Sequence, residues 1–217
     1  LGTRELVHRL EQEAVALASL DHPNVVRVLD VGITRDGRPF FVMPRLVGET
    51  LRDRLHREGS MAPALACALL AGMLEGLDLA HESGIVHRDL KPANLFLVGR
   101  PRALGAARGP RPAERCVLFD FGIAKLAHAP GDPTTGAHVI GTPRYLCPEA
   151  AQGQNSQIDG RADQWSLAVI LYRALSGKLP FEGDDITDVL KRVVYQQEVP
   201  LQQLAPEVPL PVARAIH

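Results

Sequence analysis

One short stretch of the chain carries more polar groups than its surroundings explain. The octet HRDLKPAN begins at His87 and ends at Asn94, with the apolar segments SGIV before it and LFLV after it. Such apolar segments are typically buried, and a polar group placed among them costs free energy unless it is hydrogen-bonded. The octet therefore constrains the fold, which must bring these polar side chains into one site between buried segments.

Length, net charge and cysteine content limit the number of domains and the classes of partner that this chain can have. The chain has 217 residues, enough for one large domain or two small lobes. Its formal net charge of -1 provides no global field toward nucleic acid or an anionic membrane. Cys67, Cys116 and Cys147 are far apart and odd in number, which argues against a disulfide framework or a zinc site and fits a reducing compartment.

Neither end of the chain carries a targeting or boundary signal. We find no signal peptide and no membrane span of about 18 uninterrupted apolar residues. The first residue is not Met, and the last residues, VARAIH, include no turn signal. We therefore expect that both ends are cut.

The first part of the chain predicts a helix followed by a hairpin. Leucines at helical spacing predict a helix over Thr3–Leu20, and Glu13 falls on the same stripe. An inward carboxylate there needs a cation, and the pattern alone favours the alternative in which it tilts to a solvated edge. Two β-rich runs, Val25–Val31 and Pro39–Met43, flank the turn dipeptide Asp36-Gly37 and predict a β-hairpin.

The remaining chain predicts a mostly helical unit. A short helix begins with ETLRDRL, and a long buried helix follows in APALACALLAGMLEGLDLAHESG. Two partner strands are predicted in NLFLV and CVLFDFG, separated by a loop over Gly99–Arg115. The segment Ile123–Glu149 is irregular. ADQWSLAVILYRALSG is apolar almost all round and predicts a central helix that ends at Gly177, followed by a weaker helix over about Ile186–Gln196.

Several motifs occur in the same order as in one protein family. HRDLKPAN followed by DFG, with GTPRYLCPE and then DQWSLAVILY and LPF, resembles the eukaryotic-like protein kinases found as bacterial serine/threonine kinases. The resemblance implies an α+β, two-lobed protein-kinase-like fold. The smaller lobe, residues 1–43, would be incomplete, with only the family's helix C and strands 4 and 5. A hinge over 44–49 would lead to a mostly helical larger lobe over 50–217, lacking its last helices, with an insertion over 99–115 and an activation segment over 120–149.

The resemblance also assigns catalytic roles. Asp89 would accept or orient the proton of the substrate hydroxyl, and Lys91 would contact the transferring phosphate. Asn94 and Asp120 would ligate Mg²⁺. Thr142 would hydrogen-bond toward Asp89 and Lys91 and shape a site of hydroxyl size. Because KPAN follows the aspartate and GTPRY comes later, the resemblance is to serine/threonine rather than tyrosine kinases.

ATP would lie against the hinge. Met43 would guard the back of the pocket, the carbonyl of Pro44 and the N–H of Leu46 would bind adenine, and Phe96 would lie under the ring. Core packing is the alternative for Met43 and Phe96. In the family, Glu13 would pair with a strand lysine that holds the ATP phosphates. That lysine and the glycine-rich loop are expected upstream of Leu1.

Internal contacts are implied as well. His87 would be a packed core residue in a column with Leu17, Val28 and Phe121. Asp163 would anchor that column by accepting backbone hydrogen bonds from the catalytic loop. Asp163 could instead be only a negative charge favoured by the dipole at the start of its helix.

Regulation is implied by Arg88, the residue before Asp89. A buried cation at that position implies an activation loop ordered by phosphorylation, here at Thr134 or Thr135, with self-association for phosphorylation in trans. The expected partners are ATP and proteins with Ser or Thr side chains, with no nucleic acid and no membrane span in this chain. The expected location is the cytoplasm, with any membrane tether outside this chain.

We therefore expect a serine/threonine protein kinase that transfers the γ-phosphate of ATP to protein hydroxyls. The chain alone is expected to be an inactive fragment. The alternative is a pseudokinase, a binding or scaffold module with the same fold. The presence of all four of Asp89, Lys91, Asn94 and Asp120 favours the enzyme.

Overall fold

The computed structural model describes residues 16–35, 39–99, 114–121 and 143–216. The described strands are β1 (Asp30–Ile33), β2 (Pro39–Val42), β3 (Gly48–Thr50), β4 (Leu95–Val98) and β5 (Arg115–Leu118). The described α-helices are α1 (Leu51–Glu58), α2 (Pro63–Glu82), α3 (Pro148–Ala151), α4 (Gly160–Ser176), α5 (Ile186–Tyr195), α6 (Leu201–Leu204) and α7 (Leu210–Ile216). This α+β arrangement confirms the expected fold class.

Local sequence signals set the ends of the main helices. Thr50 caps α1, because its side chain accepts a hydrogen bond from the backbone N–H of Asp53. Helix α2 has proline at its first position, where no backbone donor is needed. Gly177 ends α4 in the left-handed conformation with φ of 73°, as the sequence predicts.

Two antiparallel sheets flank the hinge. Strands β1 and β2 form a two-stranded sheet in which Ile33 lies opposite Pro39. Strand β3 pairs with β4, and β4 pairs with β5, in a three-stranded sheet. This second sheet places the residues just after the octet, in β4, directly beside the hinge strand β3.

Helices α2 and α4 form the centre of the hydrophobic core. Both contribute fully buried side chains, including Met73, Ile170 and Tyr172, to a cluster that also includes the inner residues of β4 and β5. Among the described helices, α2 alone is long and apolar enough to cross a membrane. Because core helices pass the same test and α2 packs against β5 and α4, its apolar composition is explained by the core.

One predicted strand is misplaced. The run Val25–Val31 was expected to form the first hairpin strand, but β1 begins only at Asp30. Val25 instead makes a parallel bridge to Leu118, and the N–H of Val26 donates to the Leu118 carbonyl at 2.8 Å. Val25 and Val26 are therefore buried against the end of β5 rather than in the hairpin.

Several other boundaries differ from expectation. Residues 48–50, expected in the hinge or just after it, form strand β3, and Arg115, expected in the insertion, belongs to β5. Helices α3, α6 and α7 were not predicted. Residues 16–18 are helical, whereas Ser19 and Leu20, expected in the same helix, are not. The part of the predicted first helix before residue 16 lies outside the described residues, as does Asp36-Gly37.

Candidate active site

The octet forms a loop whose polar side chains contact one another. Lys91 Nζ lies 2.6 Å from Asp89 Oδ2. Asn94 Nδ2 donates to the Asp89 carbonyl at 2.9 Å and to Asp89 Oδ2 at 3.2 Å. Asn94 is buried, whereas Asp89 and Lys91 are partly exposed. The three side chains thus form one cluster that is open to a substrate on the side of Asp89 and Lys91.

A buried carboxylate holds the backbone of this loop. Asp163, 1% exposed, accepts hydrogen bonds from the N–H of His87 at 2.8 Å and from the N–H of Arg88 at 2.9 Å. This is the arrangement predicted for Asp163, rather than a mere negative charge at a helix terminus. Because both donors are main-chain groups, Asp163 fixes the path of the chain immediately before Asp89.

His81 is a third partner of Asp163. Its Nε2 lies 2.8 Å from Asp163 Oδ2, and this hydrogen bond raises the pKa of His81 above its ordinary value despite partial burial. A β-carbon on Gly160, the first residue of α4, would lie 2.8 Å from His81 Nδ1. Glycine at that position therefore lets the imidazole lie against the start of α4.

His87 packs inside the core instead of facing substrate. It is 0% exposed, and its ring centroid lies 4.6 Å from that of Phe121. Burial lowers the pKa of His87, so the ring is neutral. Its Nε2 lies 3.3 Å from the Phe119 carbonyl, and its Nδ1 accepts from the N–H of Asp89 at 3.4 Å. Leu17 and Phe121 share the same buried cluster, with Val28 packed against it.

Asn94 and Asp120 flank two neighbouring strands, Asn94 just before β4 and Asp120 just after β5. Leu95 is paired with Leu118, and the N–H of Phe119 donates to the Asn94 carbonyl at 3.2 Å, which places Asp120 just beyond that point. The Asn94 amide nitrogen is occupied by Asp89, so its oxygen Oδ1 is the atom left for a ligand. One amide oxygen and one carboxylate are the hard oxygen donors that Mg²⁺ prefers, so these residues fit a divalent metal ion.

The backbone is strained on both sides of this cluster. Arg88 has φ of 61° and Asp120 has φ of 58°, the two non-glycine residues with positive φ in the described part of the chain. Side chains other than glycine rarely adopt this region, and such residues concentrate at functional sites. Arg88 is exposed, which corrects the expectation that it is buried.

The hinge residues lie at the surface. Met43 is 41% exposed, so core packing does not explain it, and Pro44 is also exposed. Leu46 is half-buried. Phe96, also half-buried, lies edge-on to Phe119 with ring centroids 6.1 Å apart. Strand pairing places Phe96 opposite Thr50, so the predicted floor of the adenine site lies directly beside the hinge strand.

A small pocket lies next to the cluster of Asp89, Lys91 and Asn94. Its lining includes Asp89, Lys91, Tyr145 and Cys147. Burial raises the pKa of the Cys147 thiol, which therefore stays protonated and packs as an apolar group. Ser166 of α4 donates to the Tyr145 carbonyl at 2.8 Å and ties this wall to the core.

Comparison with known proteins identifies the family. The protein kinase domain matches the chain over residues 3–214. This chain belongs to the protein kinase domain family. It is 40% identical to the serine/threonine-protein kinase PkaB of Streptomyces coelicolor, covering 94% of this chain and 47% of that protein. It is 39% identical to the serine/threonine-protein kinase pkn2 of Myxococcus xanthus, covering 93% of this chain and 23% of that protein.

A third relative is similar over a comparable length. The serine/threonine-protein kinase PknB of Mycobacterium leprae is 36% identical, with 90% of this chain and 29% of that protein covered. The kinase domain described here therefore spans less than half the length of these curated relatives. Protein kinase domains use ATP and a divalent metal ion, which agrees with the donor set at Asn94 and Asp120.

Some predicted residues of the kinase domain remain untested. Glu13, Thr134, Thr135 and Thr142 lie outside the described residues, as does the segment 100–113. Two contacts were missed from the sequence: His81 on Asp163, and an ion cluster around Arg54. Local spacing could have suggested Glu49 and Glu58, which lie within five residues of Arg54. It could not have found Asp163 as the partner of His81 or Glu114 as the partner of Arg54, because these pairs are 82 and 60 residues apart along the chain.

Proposed function

We propose that this kinase domain transfers the γ-phosphate of ATP to Ser or Thr hydroxyls of proteins, with Mg²⁺ as its divalent metal ion. The observation that carries the proposal is the catalytic cluster, in which Lys91 Nζ lies 2.6 Å from Asp89 Oδ2. The cluster follows a loop whose backbone is hydrogen-bonded to the buried Asp163. Phosphoryl transfer depends mainly on positioning and electrostatic stabilisation, which is what such a rigid polar cluster supplies.

Asp89 and Lys91 carry the transfer step. The substrate hydroxyl oxygen forms a bond to the γ-phosphorus, and the bond from that phosphorus to the bridging oxygen of ADP breaks. The hydroxyl proton goes to the Asp89 carboxylate, whose position is held by the Asn94 amide at 3.2 Å. The Lys91 ammonium then offers positive charge to the transferring phosphate oxygens.

Asn94 and Asp120 would hold the metal ion through oxygen atoms. When bound, Mg²⁺ neutralises charge on the phosphates. The chain's own contribution is to place Asn94 just before β4 and Asp120 just after β5, two paired strands, and to anchor Asn94 through its amide nitrogen. That anchoring leaves the amide oxygen oriented before the ion arrives.

The nucleotide base would lie along the hinge. The carbonyl of Pro44 and the N–H of Leu46 are the main-chain groups we assign to adenine, with Phe96 beneath the ring. Proline lacks only an N–H that this scheme does not use. The exposure of Met43 and Pro44 supports the assignment, because residues that are not buried in the core remain accessible to a nucleotide.

We also propose that Thr134 or Thr135 is phosphorylated in trans by a second copy of the protein. Support comes from the exposed Arg88 beside Asp89 and from the pair of hydroxyls between Asp120 and Glu149. We place the reaction in the cytoplasm, where ATP is available and where the three free thiols are stable. Phosphate mapping that finds residues 123–149 unmodified in fully active protein would contradict the first of these proposals.

The activity is tested in the full-length protein that contains this chain. Asp89→Asn and Asp120→Asn are each expected to lower phosphate transfer to a Ser/Thr peptide by at least about a thousandfold, because each change removes a charge at the reacting centre. Asp188→Asn on α5, where the half-buried carboxylate pairs with Arg192 away from the octet, is the matched control and is expected to retain activity. Transfer near the wild-type rate in either site variant would refute the assignment, and a wild type that binds Mg·ATP without transfer would be a pseudokinase.

A further inference from the structure

Arg54 is a buried cation with no role in the transfer chemistry. Its side chain, in the middle of α1, is 3% exposed. Its Nε donates to Glu49 at 2.6 Å, and one terminal nitrogen donates to Glu114 at 2.8 Å. Glu58 lies 3.4 Å from the same Nε. Arg57 donates to both Glu49 and Glu58. We call these residues the Arg54 cluster: Glu49, Arg54, Arg57, Glu58 and Glu114.

Two arginines of α1 differ in their burial. Arg52, on the same helix, is 67% exposed, and within the described residues its side chain pairs only with the neighbouring Asp53. A buried guanidinium carries a large desolvation cost, which its carboxylate partners must offset. The partners come from three separate segments: strand β3, helix α1 and the residue preceding β5. The cluster therefore joins segments that are distant in sequence.

One of those segments is the hinge strand. Glu49 lies in the centre of β3, and its backbone is paired with Leu97 of β4. A β-carbon on the preceding Gly48 would lie 1.9 Å from the Leu97 carbonyl oxygen and 3.1 Å from the Phe96 ring. Strand β3 thus lies in close contact with the strand that carries Phe96. A displacement of Glu49 would move both the hinge and the floor of the adenine site.

Glu114 holds the opposite side of the cluster. It precedes β5, and a β-carbon on Gly99 would lie 3.1 Å from Glu114 Cγ. Gly99 also donates its N–H to the Val47 carbonyl at 3.2 Å, just before β3. Arg54 is therefore bound through Glu114 to the end of the β4–β5 pair. This fixed contact allows Arg54 to hold Glu49 in position.

We propose that Arg54 is a positioning residue for the nucleotide. By holding Glu49 and Glu114 together, it sets the position of β3 and so aligns Pro44 and Leu46 with Phe96. This inference rests on the proposed function, because it assigns the nucleotide to the hinge. Arg54 acts on binding of the base and not on the reacting phosphate, so its loss raises the KM for ATP and leaves kcat nearly unchanged.

The experiment compares four variants of the full-length protein. Arg54→Met keeps the length of the side chain and removes its charge, Arg54→Lys keeps the charge without the planar fork, and Glu114→Gln removes one carboxylate. Arg52→Met is the matched control, the same change two residues away on an exposed site. The measurements are KM for ATP and kcat at saturating peptide, KM for peptide at saturating ATP, and direct binding of Mg·ATP by calorimetry.

We expect Arg54→Met to raise the KM and the calorimetric Kd for Mg·ATP about tenfold, with kcat within about twofold of wild type. Arg54→Lys and Glu114→Gln are expected to raise both constants about threefold, and Arg52→Met to leave them unchanged. The KM for peptide is expected to stay constant in all four variants. A cluster that only stabilises the fold would lower the melting temperature without this separation of KM from kcat.

The remaining outcomes decide against the role of Arg54, against the proposed function, or against both. Folded Arg54→Met with wild-type affinity for Mg·ATP overturns it, as does a parallel loss of kcat and peptide affinity. If Arg54→Met does not fold, unchanged Mg·ATP affinity in both Arg54→Lys and Glu114→Gln overturns it. A wild type that binds Mg·ATP without transfer refutes the proposed function alone, because calorimetry still tests Arg54. A wild type that neither binds nor transfers refutes both.

Discussion

Asp163 and Arg54 are the most deeply buried charged side chains in the described part of the chain, and their charges are neutralised in different ways. Asp163 accepts from two backbone N–H groups and from His81. Arg54 donates only to side-chain carboxylates among the contacts recorded for it, chiefly those of Glu49 and Glu114. The first arrangement holds the main chain of the catalytic loop, and the second holds two strands through their side chains.

The difference determines how each site responds to pH. Of the three groups that donate to Asp163, the two backbone amides do not titrate, whereas His81 does, with a raised pKa. The Arg54 cluster depends on carboxylates that acid can neutralise. We therefore expect the hinge side of the molecule to be weakened by acid and the Asp163 site to be weakened slightly by base.

The largest effect is expected from Asp163→Ala. The change leaves the N–H groups of His87 and Arg88 without their acceptor, and leaves His81 without its partner. We expect a loss of about 3–5 kcal/mol in the free energy of unfolding and a fall of about a hundredfold in kcat, because the loop before Asp89 is released. Chemical denaturation and steady-state kinetics measure the two effects.

Asp185→Ala is the matched control for Asp163→Ala. Asp185 caps α5 through a hydrogen bond from the N–H of Asp188 at 2.8 Å, far along the chain from the catalytic loop. Its loss is expected to cost about 1 kcal/mol with kcat unchanged. Equal effects of the two changes would mean that Asp163 acts only as a charge in its helix, and the comparison with Arg54 would lose its basis.

A smaller effect is expected when the Arg54 cluster is titrated with acid. The hydrogen bonds from Arg57 hold the pKa of Glu49 down to about 2, against the opposing effect of burial, and Arg54 adds to the lowering. Because the folded-state pKa lies below the ordinary value of 4.5, the stabilisation is fully present above about pH 4.5 and is lost as the pH falls toward 2. The contribution is on the order of 1 kcal/mol after solvent screening.

Glu49→Gln isolates this acid-sensitive contribution. The difference in the free energy of unfolding between wild type and Glu49→Gln should shrink as the pH is lowered from about 4.5 toward 2. Glu75→Gln, the same substitution at a side chain that is 76% exposed, is the matched control. A difference between wild type and Glu49→Gln that stays constant with pH would show that the carboxylate charge of Glu49 does not hold β3.

The smallest effect is expected at His81. Its hydrogen bond to Asp163 raises the pKa of His81 above 6.5, so the stabilisation is fully present below pH 6.5. It is lost as the pH rises through the raised folded-state pKa. His81→Gln keeps a donor to Asp163 without the titration, and should remove a pH-dependent contribution below about 1 kcal/mol.

His56→Gln, on an exposed part of α1, is the control for His81→Gln. Unfolding measured between pH 6 and 9 should show a flatter profile for His81→Gln than for wild type and for His56→Gln. A steeper profile, or stability that rises with pH in the wild type alone, would reverse the contrast between the two buried charges.

Most of the helices followed from local pattern. The long apolar run predicts α2, and the segment near Asp163 predicts α4 with its end at Gly177, because helix periodicity and glycine caps are read within a few residues. The prediction of a hairpin strand over Val25–Val31 was wrong for Val25–Leu29, because β1 begins at Asp30. The β-branched residues of this run are compatible with any extended backbone, and the bridge from Val25 to Leu118 depends on a partner about ninety residues away.

The sequence by itself determined the family, the order of the motifs and the residues that we assign to the transfer step. Asp89, Lys91 and Asn94 lie within one octet, so their mutual contacts need only a short loop. The resemblance also indicated that Asp163 would bind the backbone of that loop. These contacts either lie within a few residues of one another or belong to a known motif, so a single sequence is sufficient to predict them.

Only the tertiary structure decided which charges are buried and with whom. Arg52 and Arg54 are the same residue type on one short helix, yet the first is exposed and the second is buried between Glu49 and Glu114. His81 meets Asp163 because α2 and α4 pack together in the core. A buried charge needs partners that offset its desolvation, and when a partner such as Glu114 comes from a distant segment, the sequence does not state which segments will meet.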